Sequence, residues 1–379
     1  MKTITAEQRQ RLEDLSAEGL LNLPLAIAEK DVHVTDLLKA LSELVVAHDG
    51  FKDLDKRREP TRADTGIVLV FAGGTCLSKA HRLIERMSED IDIKVLLNAP
   101  ATDFRAKFGK RSRLKVLHAS VLSVFQQLQL PLIVKEDRKN PHIRDQHRYC
   151  SIGAGYKSGY EAHASLRSEL QLELIERPPF LPFEKRTFGY LYEDLTGLSK
   201  TVEVSIDCIS VSETVAEKVL SLLRRCAGKW RGYQAAEMDR ALVRHVYDVA
   251  QIAQSASSAL EPAREVFAAL VSKDREEFEG QNPEFDADPV KVLKETLEQA
   301  RTHSELQARY EDTLMPLVYG SSAPSYAQAF SVFEDVATNF LSSCEAVEIR
   351  GSLTSRLKEA SKGANAAKWW RPAYRAELR

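Results

Sequence analysis

A strand-like run, a pair of glycines, a helical pattern and a second strand-like run follow one another in the first quarter of the sequence. Residues 67–71 (IVLVF) are apolar and mostly β-branched, as in a buried strand, and Gly73 and Gly74 end the run. Apolar residues then recur at helical spacing from Thr75, and residues 90–97 (DIDIKVLL) alternate as in a strand. Because a short connection favours strands that lie side by side, this unit predicts an α/β sheet.

The remaining patterns place this unit between two helical regions. Residues 1–60 are helical in pattern to about Ala47 and end in a charged, proline-containing stretch that is typical of a linker. Residues 61–211 hold the α/β unit, and residues 212–379 show only helical patterns. Further strand-like runs of the α/β part are residues 149–154, 170–175 and 202–211. We predict an α+β protein: a mixed sheet flanked by helices, an amino-terminal helical segment and a carboxy-terminal all-helical domain.

Composition excludes several classes of protein. No apolar run approaches the roughly 20 residues of a membrane span, and the charged amino terminus lacks the apolar core of a signal peptide. We therefore expect a cytoplasmic protein that makes no use of a membrane. The five cysteines are scattered and nowhere spaced as CxxC, so they indicate free thiols rather than a disulfide framework or a zinc site.

Net charge gives no global attraction to nucleic acid, since the formal value is −2. RNA binding would depend on local basic patches, of which the sequence has three: residues 107–115, 138–148 and 368–379. Charged runs of this kind are more often solvated faces than RNA contacts.

Two acidic residues near the glycine pair have the spacing of a metal site. Residues two apart in a strand point to one side, so Asp90 and Asp92 present two carboxylates about 6.6 Å apart at their α-carbons. Such a pair can hold Mg²⁺, which is typically bound by one or two protein carboxylates and by substrate phosphates. The helix after Gly73 and Gly74 has unpaired N–H groups that favour an anion. By themselves, the glycine pair is more often a tight turn and the aspartates a surface feature.

Other candidates are weaker on spacing alone. A third carboxylate could come from Glu173, which alternates with apparently buried leucines, or from Asp207 in the strand-like run VSIDCIS. Lys218 lies at the edge of an apolar helical stripe, where it could reach a triphosphate. Arg244 and Asp248 are four residues apart and are typical of a surface ion pair.

Several segments together resemble one known family. Residues 71–95 (FAGGTCLSKAHRLIERMSEDIDIKV) are similar to the GGTsLsK...liERfSeDIDl segment of the AbiEii/AbiGii toxin family of nucleotidyltransferases, relatives of the DNA polymerase beta superfamily and of MenT-like toxins. The resemblance extends in the same order to four further segments: 28–41 (AEKDVHVTDLLKAL), 172–179 (LELIERPP), 213–225 (ETVAEKVLSLLRR) and 244–249 (RHVYDV). It departs at His33 and Val246, where the family leads us to expect aromatic residues, and the tail after about residue 345 matches nothing.

The resemblance implies a function and a set of site residues. It implies transfer of a nucleoside monophosphate from an NTP to an acceptor hydroxyl, often on tRNA, with Mg²⁺ or Mn²⁺, by a toxin of a toxin–antitoxin or abortive-infection phage-defence system whose partner is an AbiEi-like antitoxin. Asp90, Asp92 and Glu173 would bind the metal, with Glu173 favoured over Asp207 and also accepting a proton. The implied nucleotide-binding residues are Gly73, Gly74, Thr75, Ser78, Lys79, Arg177, Lys218, Arg244 and Asp248.

Two alternatives remain open on sequence. An enzyme of the same fold could modify a small molecule or a protein, or the chain could be a regulator that binds a nucleotide without turnover. The presence of all three carboxylates and of Lys218 argues against the regulator. A large basic cleft leading to Asp90 would favour RNA, whereas a small closed pocket would favour a small acceptor.

Overall fold

The computed structural model describes residues 1–48, 63–64, 66–98, 109–134, 139–161, 163–233, 240–320 and 323–363, with side chains to residue 344. The strands are β1 (Ala47–His48), β2 (Ala63–Asp64), β3 (Ile67–Ala72), β4 (Asp90–Leu97), β5 (His142–Arg144), β6 (Tyr149–Gly155), β7 (Glu169–Ile175), β8 (Glu184–Phe188) and β9 (Val204–Cys208). The α-helices are α1 (Ala6–Ala17), α2 (Leu25–Ser42), α3 (Gly73–Lys79), α4 (Lys110–Gln127), α5 (Leu191–Thr196), α6 (Val211–Trp230), α7 (Arg244–Ser255), α8 (Leu260–Glu277), α9 (Pro283–Ala287), α10 (Pro289–Ala300), α11 (Ser304–Arg309) and α12 (Tyr326–Gly363).

The central feature is a seven-stranded mixed sheet with the order β5-β6-β7-β4-β3-β9-β8, which confirms the predicted fold class. β3 and β4 are antiparallel neighbours, as the short connection predicts, and Ala72 lies opposite Asp92. β7 runs parallel to β4 on its other side and places Glu173 opposite Asp92. The register therefore brings the end of the glycine-bearing strand and two acidic residues to one edge of the sheet.

The helix between β3 and β4 is shorter than the helical spacing of apolar residues from Leu77 to Met87 indicates. α3 ends at Lys79, and the residues that follow make backbone hydrogen bonds to a distant segment, from Met87 N to Leu317 O at 2.8 Å and from Tyr319 N to Glu85 O at 2.9 Å. The apolar residues that mimic a helical stripe are buried in different cores: Leu77 and Ile84 pack with the carboxy-terminal helices and Met87 packs with α1 and α2. Regular apolar spacing can thus arise without one helical face.

The helices after the sheet form a second hydrophobic core. The stripe of α6 is buried as predicted, with Val215, Val219, Leu222 and Cys226 at most 1% exposed, and it packs against α7, α8 and α10. In the described residues, no strand of the sheet lies beyond Cys208, and the expected boundary near residue 60 lies outside them. All five cysteines are free and buried. Among the helices described, none combines the length and the apolar character that crossing a bilayer requires.

Three consecutive charged residues of α2 are buried and hold separate parts of the chain. Glu29 accepts hydrogen bonds from Ser158 Oγ at 2.6 Å and from Gly159 N at 2.8 Å. Lys30 donates to Glu89 Oε2 at 2.5 Å, and Asp31 pairs with Lys79 Nζ at 2.5 Å. Since unpaired buried charges are costly, this cluster fixes α2 against the loop before β4 and the loop before β7.

His33, two residues beyond Asp31 in α2, is one of the two departures from the family pattern, and its effect on folding stability can be measured. Its ring is fully buried, 4.5 Å from the ring centre of Tyr156, and neither ring nitrogen has a hydrogen-bond partner among the described residues. Burial, with a smaller contribution from Lys2, lowers the pKa of His33 to about 3. Between pH 3 and 6.5 the unfolded chain binds a proton that the folded chain does not, so His33 costs stability as the pH falls below 6.5.

We expect His33→Phe to stabilise the protein by about 1 kcal/mol at pH 8, because it removes unsatisfied buried nitrogens. At pH 5 the gain in unfolding free energy should be larger by about 2 kcal/mol. This is because pH 5 lies 1.5 pH units below 6.5, and each unit contributes 1.36 kcal/mol. Urea unfolding of both proteins at the two pH values measures this difference. His33→Leu serves as a smaller replacement that tests for overpacking, and an equal gain at both pH values for both variants would contradict the assignment.

Candidate active site

A large open cleft lies between the acidic edge of the sheet and the carboxy-terminal helices. Its volume is about 970 Å³, and among the described residues eleven basic and nine acidic side chains line it. Eight of the predicted site residues line the cleft: Gly73, Gly74, Asp90, Asp92, Glu173, Arg177, Lys218 and Arg244. The tertiary structure therefore brings together residues that are up to 171 positions apart in the chain (73 to 244).

Three carboxylates form the acidic centre of the cleft. Burial, followed by repulsion from Glu173 and Asp90, raises the pKa of Asp92 to about 8. Burial also raises the pKa of Asp90, although Arg167 opposes this by donating to Asp90 Oδ1 at 2.8 Å. Burial raises the pKa of Glu173, whose Oε1 accepts a hydrogen bond from Tyr149 OH at 3.1 Å. The pKa values of all three carboxyl groups are thus raised. A cation bound among them would stabilise their ionised forms and lower these pKa values.

The donor set suits a hard divalent cation. In the described residues, no three His, Cys, Asp or Glu side chains are grouped closely enough to hold a metal by themselves. Magnesium does not require such a group, because it is commonly bound through one or two carboxylates together with substrate phosphates. Asp92 and Glu173, paired across β4 and β7, supply the carboxylate oxygens that this ion prefers.

Gly73 lies directly against the acidic centre. Its φ of +74° is in the left-handed region, and a Cβ atom there would lie 1.9 Å from Asp92 Oδ2. At Gly74 a Cβ would lie 2.7 Å from Ser88 Oγ and 2.8 Å from Arg86 Nη2. A side chain at Gly73 would strain the backbone and displace Asp92, and one at Gly74 would displace Ser88 and Arg86. The glycine backbone and the Asp92 carboxylate therefore belong to one site.

Lys218 is held by a buried acid behind the cleft wall. Its Nζ lies 2.7 Å from Asp248 Oδ2, and Arg86 donates from Nε and Nη2 to the two oxygens of Asp248, each at 2.7 Å. Asp248 is fully buried; burial opposes its ionisation, but Arg86 and Lys218 hold its pKa well below its usual range. Asp248 thus positions a lysine and does not itself line the cleft.

Arg244 and Asp248 do not form the ion pair that their spacing suggests. Arg244 is buried at the cleft wall with Nη2 3.6 Å from Glu89 Oε1, and its Nε has no hydrogen-bond partner among the described residues. Arg177 also lines the cleft and donates to Asp274 Oδ1 of α8 at 2.8 Å. These two arginines connect the sheet side of the cleft to the helical side.

Three predicted nucleotide-binding residues of α3 are not brought to the cleft. Thr75 is fully buried and donates to the backbone oxygen of Asp90, so its hydroxyl is occupied. Ser78 donates to Thr75 O at 3.2 Å, and Lys79 is paired with Asp31 of α2. The short α3 turns these side chains into the core, where they support the acidic strand and α2.

Asp207, the competitor of Glu173, lies outside the cleft lining. On β9 it is opposite Val70 of β3, and its Oδ1 is 3.5 Å from Lys185 Nζ. The strand order thus separates Asp207 from Asp92 by β3, whereas Glu173 is on the strand next to Asp92.

Sequence patterns missed three residues of the site. Arg86 and Glu89 lie inside the segment that resembles the family motif, and this position was the available signal, because the segment around them is itself rich in charged residues. Tyr149 begins β6 and reaches Glu173 across the sheet, a contact that only strand pairing creates.

Comparisons with known proteins bear on the fold and on the family of the chain. The fold is similar to that of MenT4, a nucleotidyltransferase toxin from Mycobacterium tuberculosis H37Rv, with a TM-score of 0.52 and 18% sequence identity over 89% of this chain and 91% of that chain. No curated protein matches the chain in sequence. A family model described as nucleotidyl transferase AbiEii toxin, type IV toxin–antitoxin system, matches residues 61–332. Since this match spans well over half of the sequence, the chain belongs to the AbiEii family of nucleotidyltransferase toxins of type IV toxin–antitoxin systems.

Proposed function

We propose that this chain transfers a nucleoside monophosphate from an NTP to a hydroxyl of an RNA acceptor, tRNA being the expected class, in a magnesium-dependent reaction. The observation that carries the proposal is the convergence of three repelling carboxylates, the Gly73 backbone and a buried, acid-fixed Lys218 in one open cleft. A family of type IV toxins also implies an antitoxin partner, for which an AbiEi-like protein and a shared cytoplasmic location are expected.

The chemistry would be an in-line phosphoryl transfer. The acceptor oxygen forms a bond to the α-phosphorus while the bond to the pyrophosphate oxygen breaks, and the acceptor proton passes to a carboxylate oxygen of Glu173. Gly73 and Gly74 give the triphosphate close access to the backbone. The ammonium of Lys218, fixed by Asp248 at 2.7 Å, neutralises triphosphate charge.

The metal requirement follows from the donor set. Magnesium, or manganese with the same preference for oxygen, would neutralise charge on the phosphate oxygens. Asp90, Asp92 and Glu173 are the residues that would hold it. Arg167, which donates to Asp90, and Tyr149, which donates to Glu173, keep these carboxylates oriented toward the cleft.

The size of the cleft supports a macromolecular acceptor. A space of about 970 Å³ is at the upper end of the volumes typical of small-molecule sites and is open to solvent. Its basic residues outnumber its acidic ones although three of those acids form the acidic centre. A small or protein hydroxyl as the acceptor is the alternative that the following experiment separates from RNA.

We expect the purified protein to transfer label from one α-labelled NTP to RNA in the presence of magnesium, and we expect Glu173→Gln to reduce the rate at least 100-fold, because it removes a carboxylate at the reacting atoms. Asp207→Asn is the matched control, since it removes a carboxylate from a strand of the same sheet outside the cleft and should leave the rate within about twofold. Gel analysis of RNA, protein and small-molecule fractions measures the transfer. Label found only on protein or a small hydroxyl would overturn the RNA acceptor, and a Glu173→Gln rate equal to wild type would overturn the site.

A further inference from the structure

An arginine from the loop before β7 is paired with one carboxylate of the acidic centre. Arg167 Nη1 donates to Asp90 Oδ1 at 2.8 Å. The two side chains are 42% and 26% exposed, and both residues line the cleft. Asp90 begins β4 opposite Gln171 of β7, so the pair lies at the same edge of the sheet as Glu173. A positive charge of the protein thus stands beside the acids that are proposed to hold the metal.

A buried ion pair fixes the backbone of Arg167. Glu89 Oε2 accepts from Arg167 N at 2.9 Å, and Lys30 Nζ donates to Arg167 O at 2.6 Å. Lys30 and Glu89 are themselves 2.5 Å apart and at most 2% exposed. Because a buried pair is costly to break, the backbone stays in place and only the side chain of Arg167 has freedom to move. The fold therefore delivers this guanidinium to Asp90, unlike a surface pair of two mobile side chains.

Arg167 differs from Lys218, the cation that is proposed to contact the triphosphate. The ammonium of Lys218 lies 2.7 Å from Asp248, an acid behind the cleft wall, so its charge is balanced outside the acidic centre. The charge of Arg167 is balanced by Asp90, which is itself a member of the acidic centre. A ligand that needs Asp90 must therefore contend with Arg167.

The charge of Arg167 has a consequence that is separate from the orientation of Asp90. Guanidinium groups and divalent cations are both held by carboxylate oxygens. A cation bound through either oxygen of Asp90 lies close to the guanidinium, because both oxygens belong to the carboxylate that accepts from Arg167. Two positive charges at such short range repel each other even where water screens them in part. The pair therefore opposes a cation at Asp90 for as long as the guanidinium stays there.

We propose that Arg167 is a counter-ion that competes with the divalent cation for Asp90 and so weakens binding of that ion to the nucleotide-free protein. This inference rests on the proposed function, which assigns the ion to Asp90, Asp92 and Glu173, and it adds a positioning residue that sets how tightly the ion binds. The sign of the effect is diagnostic. Loss of a competing charge strengthens cation binding, whereas loss of a group that only orients a ligand weakens it.

The test measures binding of Mn²⁺ to the full chain, without NTP or RNA, from the electron paramagnetic resonance signal of the free ion. We expect Arg167→Gln to bind Mn²⁺ about tenfold more tightly than wild type at about 0.05 M salt, because glutamine keeps an N–H donor but carries no charge. Arg167→Lys keeps the charge and should stay within about threefold of wild type. At about 0.5 M salt the tenfold difference should shrink to less than about threefold, because screening weakens the repulsion.

Further variants assign the effect to the acidic centre. Arg82→Gln removes the charge of an arginine that pairs with Asp194 and does not line the cleft, so it should bind Mn²⁺ as wild type does. In the double variant Arg167→Gln/Asp92→Asn the gain should be lost, because Asp92 belongs to the same proposed cation site. Thermal midpoints within about 2 °C of wild type, measured without metal, confirm that the arginine variants are folded.

The outcomes separate this inference from the proposed function. Arg167→Gln affinity that is equal to or weaker than that of wild type, Arg167→Lys binding as tight as that of Arg167→Gln, or a gain that survives Asp92→Asn would each overturn the competition. The absence of measurable Mn²⁺ binding in both wild type and Arg167→Gln would overturn it as well. If the variants show the expected affinities but wild type labels no acceptor from any NTP, the proposed function fails and the competition stands. If wild type labels RNA while wild type and Arg167→Gln bind Mn²⁺ equally, the function stands and the competition is wrong.

Discussion

Asp92→Asn is expected to abolish nucleotidyl transfer while making the metal-free protein more stable. Loss of a metal-binding carboxylate should reduce the rate at least about 1,000-fold, since charge neutralisation at the phosphates contributes several kcal/mol to the transition state. The gain in stability follows from repulsion, because burial, Glu173 and Asp90 raise the pKa of Asp92 from 3.8 to about 8. The folded protein therefore retains a proton that the unfolded chain releases, and ionised Asp92 costs stability.

The sign of this effect gives a pH window. The unfolding free energy of the metal-free wild type should fall as the pH rises from 3.8 toward 8. Asparagine does not titrate, so the part of this fall that comes from residue 92 should be absent in the variant. Between pH 5 and pH 8, the unfolding free energy of the wild type can fall through Asp92 by at most about 4 kcal/mol, at 1.36 kcal/mol for each pH unit. Because Asp92 is partly in contact with solvent, we expect a fall of about 2 kcal/mol.

Urea unfolding in EDTA at pH 5 and pH 8 measures the difference, and the same titration with magnesium tests the metal. Magnesium should raise the midpoint of wild type more than that of Asp92→Asn. Asp207→Asn, which lies outside the cleft, is the control and should show neither effect. A variant that loses stability at pH 8, or that gains as much from magnesium as wild type, would show that Asp92 is not the repelled metal ligand.

Asp248→Asn is expected to cause the largest loss of folding stability of the changes considered for this site. Asp248 is fully buried between Arg86 and Lys218, and its removal leaves two buried cations without their partner. Breaking a buried pair in this way typically costs about 3 to 5 kcal/mol. Lys218 can lose its proton to reduce the cost, but Arg86 cannot, so most of the penalty should come from the arginine.

Activity should fall by at least 100-fold in the same variant, because Lys218 loses the acid that fixes it for its proposed contact with the triphosphate. The control is Asp194→Asn, which breaks the surface ion pair between Asp194 Oδ1 and Arg82 Nη2, 2.8 Å apart. This change should cost less than about 1 kcal/mol of unfolding free energy and leave the rate unchanged. Unfolding free energies and single-turnover rates, measured above the KM for NTP, report the two effects. Equal losses for Asp248→Asn and Asp194→Asn would contradict a buried network behind the site.

The two predictions have opposite signs for a physical reason. In the acidic centre, carboxylates that repel one another are held close together, so neutralising one of them relieves the folded state. Around Asp248, opposite charges are buried together, so neutralising Asp248 leaves Arg86 and Lys218 without their charged partner. The site therefore combines a destabilising cluster that faces the cleft with a stabilising cluster behind it, as expected where function and stability compete.

Much of the site could be predicted because its residues lie in short segments with strong patterns. The alternation of β4 predicted that Asp90 and Asp92 share a side, and the break after β3 predicted the glycine turn. Spacing alone did not separate Glu173 from Asp207, since both alternate with apolar residues. The strand order favours Glu173, because it places β7, not β9, beside β4. The inward orientation of Thr75, Ser78 and Lys79 also depended on the short α3 and its packing on α2.

By itself, the sequence determined the two strands around the glycine pair, the start of the helix between them, the mainly helical nature of both flanking regions and the shared side of Asp90 and Asp92, because these depend on local periodicity. Only the tertiary structure decided which charges face the cleft and which are buried partners, as the different surroundings of Lys79 and Lys218 show. It also decided that the basic segments of α4 and of the β5–β6 turn form one surface. The physical reason is that charge pairing, burial and register join residues far apart in the chain, and no local pattern records these contacts.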